Sequence, residues 1–292
     1  MSASSPSITP AVLPLRKTGF RRRLLRRRTT LLSLAFLVLL VALALWAPAV
    51  TAYDPLGGGD NSLLPPLSPG HWLGTDDLGR DLWARVIYGS RISLTVGVAS
   101  ALFAVMVGVI VGALAGYFGG WLDTLLMRIA EFFQTLPRFV VALIVIALFG
   151  TSVFKMIVVI AALSWPQLAR VVRASVATLA QSQFVDAARV AGMGHGAIIL
   201  REILPNAAAP IIVLGSLDIA MAILIEASLS FFGLGDPNHV SWGAMLNDAQ
   251  QYLRTAWWMS AFPGLAIALT VLSFNVLGDA INDALNPRET PA

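Results

Sequence analysis

Apolar residues gather into six long runs along this chain, at 31–50, 93–116, 124–149, 154–172, 208–231 and 260–281, separated by stretches rich in charge, proline and glycine. A helix rises about 1.5 Å per residue and the hydrocarbon core of a bilayer is ~30 Å thick, so each run has the length that crosses it. The pattern predicts an all-α polytopic membrane protein with six transmembrane helices. Arginines precede the first run and Ala47, Ala49 and Ala52 follow its core, as in a secretory signal. That run is longer than the apolar part of a signal, however, and further spans follow it, so a retained helix is expected.

Composition agrees with the pattern. Of 292 residues, 57% are hydrophobic and 12% charged, with a mean hydropathy of +0.76, which is more apolar surface than one water-soluble core can hide. Zero cysteines exclude disulfides, thiolate metal sites and cysteine nucleophiles. The formal charge of +4 invites a nucleic-acid reading, but 8 of the 20 basic residues lie between Arg16 and Arg28, just before the first run. There they set membrane topology, so lipid and not nucleic acid is the expected environment. With the N-terminus inside the cell, Arg128, Arg170, Arg173, Arg189, Arg201 and Arg288 also fall inside. Only Arg80, Arg85, Arg91, Lys155 and Arg254 fall outside, and Arg138 lies within a span. Both termini are therefore predicted to be cytoplasmic, with 51–92 and 232–259 facing outward.

The outer segment 51–92 begins with proline and glycine and ends HWLGTDDLGRDLWARVIYGSR, 71–91. Thr75 or Asp76 can cap a helix with Leu82, Trp83, Val86 and Ile87 on an apolar face and Arg85 and Arg91 toward the polar side. Such a helix would lie at the outer interface. Its alternating charges, Asp76, Asp77, Arg80, Asp81 and Arg85, suit docking to a complementary protein. On the inner side, residues 186–206 read DAARVAGMGHGAIILREILPN, too polar to span and patterned as two short helices joined at glycine. Small Ala187 and Ala188 allow close approach of another backbone, Gly192 supplies a left-handed residue ending the first helix, and Pro205 stops the second.

The stretch HWLGTDDLGRDLWARVIYGSRISL resembles the signature ahead of the second span in permease subunits of the dipeptide, oligopeptide and nickel class of bacterial ABC importers. GYFGG at 116–120, EASLSFFGLG at 226–235, AWW at 256–258, FPG at 262–264 and LSFNVLGD at 272–279 agree with it. Together they cover roughly 30–288, and the short outer loop is similar to that of the C-type member. The resemblance implies a type I importer permease (MetI-like) core. It divides the chain into a basic tail at 1–30, a first helix and outer loop at 31–92, a core at 93–285 with a coupling loop at 173–206, and a tail at 286–292. It also identifies 186–206 with the family's EAA loop, placing the fixed features on Asp186, Ala187, Ala188, Gly192, Leu204 and Pro205, with Arg189 among them. In the family this loop docks into a groove of a cytoplasmic ATPase. Asp186 stands where glutamate is usual, and Glu202 where an apolar residue is frequent.

A phosphate-binding loop needs a lysine after its glycines, and the chain has only Lys17 and Lys155, neither in such a loop. No cofactor or catalytic residue is therefore expected on this chain; ATP and Mg belong to partners. The resemblance implies two ATPase subunits, a second permease completing a heterodimer, and an external substrate-binding protein. Asp218 and Glu226 in the fifth span are the candidates for translocation path or gating, and they would also serve an ion-coupled secondary transporter. A membrane hydrolase lacks its frame, because His71, His195 and His239 all lie in loops without H-E-x-x-H or G-x-S-x-G. Three scattered histidines also make a poor nickel cage, so no metal site is expected and peptide is preferred over nickel as cargo. Pro166 is expected to kink span four. Arg128 and Glu131 are expected to pair. Gly108, Gly112 and Gly116 form a close-packing stripe facing either a span of this chain or the partner permease.

Overall fold

In the computed structural model the described residues are 27–285; the basic tail, most of it at 1–26, and the tail 286–292 lie outside them. All regular elements among them are helical. We label them α1 Arg28–Leu45, α2 Leu82–Phe118, α3 Gly120–Thr135, α4 Arg138–Phe149, α5 Val153–Leu179, α6 Gln183–Val190, α7 at 195–206, α8 Ala208–Leu229, α9 Trp242–Ala249 and α10 Trp258–Leu285. α7 is a composite whose middle, Ile198–Ile203, is wound as a π-helix, and α8 runs on through a further π-turn, Ser230–Leu234.

Among the described residues five single helices are long and apolar enough to cross a membrane: α1, α2, α5, α8 with its π-turn, and α10. The expected span at 124–149 is the pair α3 and α4, together long and apolar enough for a sixth crossing but bent by 82° at Leu136–Pro137. Proline lacks the amide that would continue α3 and pushes Leu136 into an extended conformation (ψ 134°), so a continuous apolar run breaks into two rods. A second correction concerns the entry to span two. No separate interfacial helix precedes it, for α2 is one rod of 37 residues that starts at Leu82, and its cap is Asp81, whose carboxylate accepts from the Ala84 amide at 2.7 Å. Pro166 lies inside α5 without ending it.

The most extensive helix contact is that of α2 with α5, and the glycine stripe explains it. A Cβ at Gly112 would lie 2.5 Å from the Ala169 carbonyl, at Gly116 2.5 Å from the Arg173 carbonyl, and at Gly108 2.9 Å from Leu168. The stripe is thus spent within this chain, letting two backbones touch where any side chain would hold them apart. Around this pair, one end of the bundle carries α6 and α7; the opposite end, the cap, carries the ordered loop 51–81 and α9. Each end has its own apolar cluster. Val172, Val176, Val185, Ile198 and Ile203 pack at the α6 end, and Leu82, Ile223, Trp242, Met245 and Met259 at the cap.

Candidate functional site

At the α6 end the chain builds two short helices around a glycine joint. Gly192 has φ +78°, and its amide donates to Arg189 O at 3.0 Å while the Met193 amide donates to Ala188 O at 3.1 Å. This pair of bonds is the Schellman ending of α6, which places a left-handed residue where glycine alone is unstrained. Val185 and Ala188 face inward onto α5 and α7. Ala188 is therefore buried in the chain's own core, and of the two alanines only Ala187 is open to another protein. Asp186, Ala187 and Arg189 are exposed beside Phe184 and Val190, the latter 91% exposed. The acidic arm is already engaged, since Arg189 meets Asp186 at 2.9 Å and also donates to Ala180 O at 3.2 Å. The Arg189 guanidinium also lies over the Tyr117 ring, and the Tyr117 hydroxyl sits 2.8 Å from His195 Nδ1, fastening the element to the end of α2. Leu204 is half-buried and Pro205 exposed; Pro205 does not stop the helix at its own position, because α7 continues to Asn206. Its missing amide is accommodated by the π-winding just before it.

At the cap, the residues expected to present an exposed charged helix do the opposite. Asp76 is fully buried and Arg85 is 3% exposed. Asp76 accepts from the amides of Leu78 and Arg80 at 2.9 and 2.8 Å, from Arg80 Nε at 2.6 Å, and from Arg85. Both arginines reach on to Asp248 of α9, at 3.1 and 2.8 Å. Asp81 caps α2 with one oxygen and meets His71 at 2.9 Å with the other. Two arginines balanced by two aspartates make a closed clamp; Asp77 lies at its edge, 4.0 Å from Arg80. Two tryptophans bind the same parts together, as Trp258 donates to Thr75 O at 3.1 Å and Trp242 to Val86 O at 2.9 Å. Nearby, burial alone would raise the Asp236 carboxyl. Hydrogen bonds from the Asn238 and Val153 amides and from His239 outweigh it and hold the group below the usual carboxylate range.

Glu226 is wholly enclosed, accepting from Ser93 at 2.9 Å and Ser230 at 2.8 Å, so it joins α2 to the end of α8 and reaches no open face of this chain. Asp218 differs. It is the eleventh of the 22 residues of α8 and half-buried. Arg138 donates to Gln167 of α5 at 3.1 Å. Asp218 lies at the middle of an apolar helix, where a charge facing lipid costs on the order of 3 kcal/mol. Its face must therefore meet water or protein.

Residues 108–291 match the family described as binding-protein-dependent transport system inner membrane component, and 18–66 match the N-terminal TM domain of oligopeptide transport permease C. The chain is 41% identical over 271 residues to the glutathione transport system permease protein GsiD of Pectobacterium atrosepticum, covering 92% of this chain and 90% of that protein. It is 37% identical over 279 residues to the dipeptide transport system permease protein DppC of Alkalihalophilus pseudofirmus, covering 95% and 91%. The chain belongs to the binding-protein-dependent inner membrane components. This permease is a multi-pass membrane protein, and its family is a transporter's membrane component and not its ATPase. Its α6 joint, its Asp218 and the glycines that seat α2 on α5 all fall within the matched segment.

Proposed function

We propose that this permease is one of two membrane halves of an ATP-driven importer of peptides, delivered by an external binding protein and moved by two cytoplasmic ATPase subunits. The observation that carries the reading is the α6–Gly192–α7 element. It is a pair of ordered short helices, packed on the far end of α5 and leaving Phe184, Ala187 and Val190 uncovered. An apolar, small-residue face on a rigid base suits a socket in another protein. The peptide cargo is supported by the printed functions of relatives at 37–41% identity, one for dipeptides and one for glutathione. The arginine distribution supports placing both termini, and this element, in the cytoplasm. Within the reading, Asp186, Arg189, Gly192 and Pro205 shape the joint while Ala187 takes the ATPase contact. Asp218 belongs to the path, and Glu226 holds the outer end of α8.

The test is purification of the complex through a tag on this permease. Ala187→Arg adds bulk and charge to the exposed face without touching a span, so the complex should lose its ATPase subunits or hydrolyse ATP without importing labelled dipeptide. Wild-type stoichiometry and uptake in that variant would reduce the element to a connector. A reporter fused after Ala292 should be active only in the cytoplasm.

A further inference from the structure

Where α3 meets α5, at the end of the bundle that carries α6, the two helices leave a cleft of about 430 Å³, lined chiefly by Asp123, Thr124, Arg128 and Glu131 of α3 and by Arg170 and Arg173 of α5. Its charges do not cancel. Arg173 grips both oxygens of Asp123, with Nε at 2.7 Å, and so accounts for that carboxylate. Glu131 meets Arg128 through a single contact of 3.2 Å between two exposed side chains. Arg170 donates to the neutral side chain of Gln134 at 2.9 Å and comes within 4.0 Å of no carboxylate among the described residues. Three guanidiniums thus face two carboxylates, and the surplus positive charge sits at Arg170. The depth of the cleft selects the anion. α5 has 27 residues, about 40 Å, which is more than the ~30 Å hydrocarbon core. Arg173 and Arg170 stand in its last three turns, and arginine side chains of that length reach from there to the headgroups. Round α3, at about 100° per residue, the exposed Trp121, Leu125, Ile129 and Phe132 form a row that adjoins Thr124 and Arg128 at the edge of the cleft.

We propose that this cleft holds the phosphate of an anionic phospholipid in the leaflet on the α6 side, with Arg170 and Arg128 taking the phosphate and an acyl chain lying along Trp121, Leu125 and Phe132. A guanidinium offers paired donors to a phosphate, and a basic pocket between spans at this depth suits an acidic headgroup. A zwitterionic lipid fits less well, because Asp123 and Glu131 are already engaged and leave no carboxylate for its ammonium group. A free phosphate would satisfy the arginines but leave the apolar row beside them uncovered. The phosphate would bridge α3 to α5, so the lipid fastens the bent half-span to the rigid core. The inference needs only that this chain is a membrane permease and does not depend on its cargo.

The experiment is native mass spectrometry of the complete permease complex, purified through a tag and titrated with phosphatidylglycerol or with phosphatidylcholine of the same acyl chains. Phosphatidylglycerol should be retained at least about fivefold more, and Arg170→Gln and Arg128→Gln should each lower its retention about fivefold, the share of one basic residue near an anionic surface. Arg170→Lys should keep most of the preference, which separates lost charge from lost fold. Arg201→Gln, at the same end on α7 but outside the cleft, should change nothing; a loss equal to that of Arg170→Gln would mean diffuse attraction and overturn the site. Leu125→Gln with Phe132→Gln should weaken retention through the acyl chain. Excess inorganic phosphate distinguishes the two sources of the group. The lipid should stay bound; its displacement by phosphate, with the apolar variants behaving as wild type, would make the cleft a site for free anions and overturn the lipid assignment. Equal retention of both lipids, or of neither because a partner subunit covers the face, overturns the proposal outright.

Discussion

Replacing Gly192 isolates the backbone of the joint from everything else. Its φ is +78°, and a Cβ built there would meet no atom within 4 Å, so a substitution adds no clash and reports only the conformational cost. That cost for an ordinary L-residue in the left-handed region is roughly 1–2 kcal/mol, with β-branched residues worst and asparagine spared most. Since about 1.4 kcal/mol is tenfold in an equilibrium, Gly192→Val should leave the two-helix arrangement populated some five- to thirtyfold less against its alternatives. The bonds at stake are those from the Gly192 and Met193 amides to Arg189 and Ala188. Amide hydrogen exchange at 192 and 193 should therefore quicken by that factor in Gly192→Val, less in Gly192→Ala, and least in Gly192→Asn. Under the coupling reading, retention of ATPase subunits on a tagged permease follows the same order. Equal exchange in all three variants would mean that the joint tolerates another conformation and that the glycine is not required by φ. Slowed assembly without altered exchange would place the effect at the contact surface instead.

Three further outcomes follow from the geometry. Arg85→Met removes one of the two guanidiniums that hold Asp76 and Asp248 while Arg80 stays on both, which costs about 1.5–3 kcal/mol as a lost charged hydrogen bond, and should show as a lower unfolding temperature of the detergent-purified permease and as protease access to 236–252. Gly112→Leu drives a side chain against the Ala169 carbonyl and should abolish recovery of folded permease, whereas Gly264→Ala, with open space around it, should be recovered normally. Asp236 has a lowered pKa in the folded protein, so its contribution to stability is complete above its ordinary value of 3.8 and fades as pH falls through the lower folded value. Exchange at the Val153 and Asn238 amides should accordingly speed up only on strong acidification, and Asp236→Asn should remove that step; an onset near neutrality would contradict the assignment.

What could be read from the sequence was whatever depends on local spacing. The apolar runs, the glycine at the end of α6, the Arg128–Glu131 pair at 3.2 Å and the four-residue glycine stripe each need only a helix period to be seen. What could not be read depends on partners far along the chain. Arg85 and Arg91 look like polar-face residues because Asp248, 163 positions beyond Arg85, and the carbonyls of Ala44 and Leu45, 46 or more positions before Arg91, are invisible in a local window. The cap of α2 was misplaced for the same reason. Thr75 and Asp76 are good capping residues, but Asp76 is consumed by two arginines, and that leaves Asp81 to begin the helix. The break at Leu136–Pro137 carries its own local signal, the proline with Gln134, Thr135 and Arg138 around it, but the length and overall apolarity of 124–149 make the stretch read as one span. Whether the glycine stripe faced this chain or another is a question of three-dimensional register, which spacing cannot settle.

The same long-range ties determine where this permease can move. At 37 residues, α2 is about 55 Å long, enough to run from one membrane face to the other and beyond. Its first turn is locked into the cap by Asp81 and Arg85, and its last is tied to the α6 element through Tyr117 and His195. Between these, backbone-to-backbone packing on α5 leaves no room for sliding, because ridges that close cannot shift by less than a residue. Under the coupling reading, a displacement received at α6 is carried by α2 and α5 as one body to the cap. Relative motion is left to the elements joined at breaks: α4, hinged at Pro137 and again at Gly150 (φ +84°), and the cap end of α8, released at Gly233 (φ +82°).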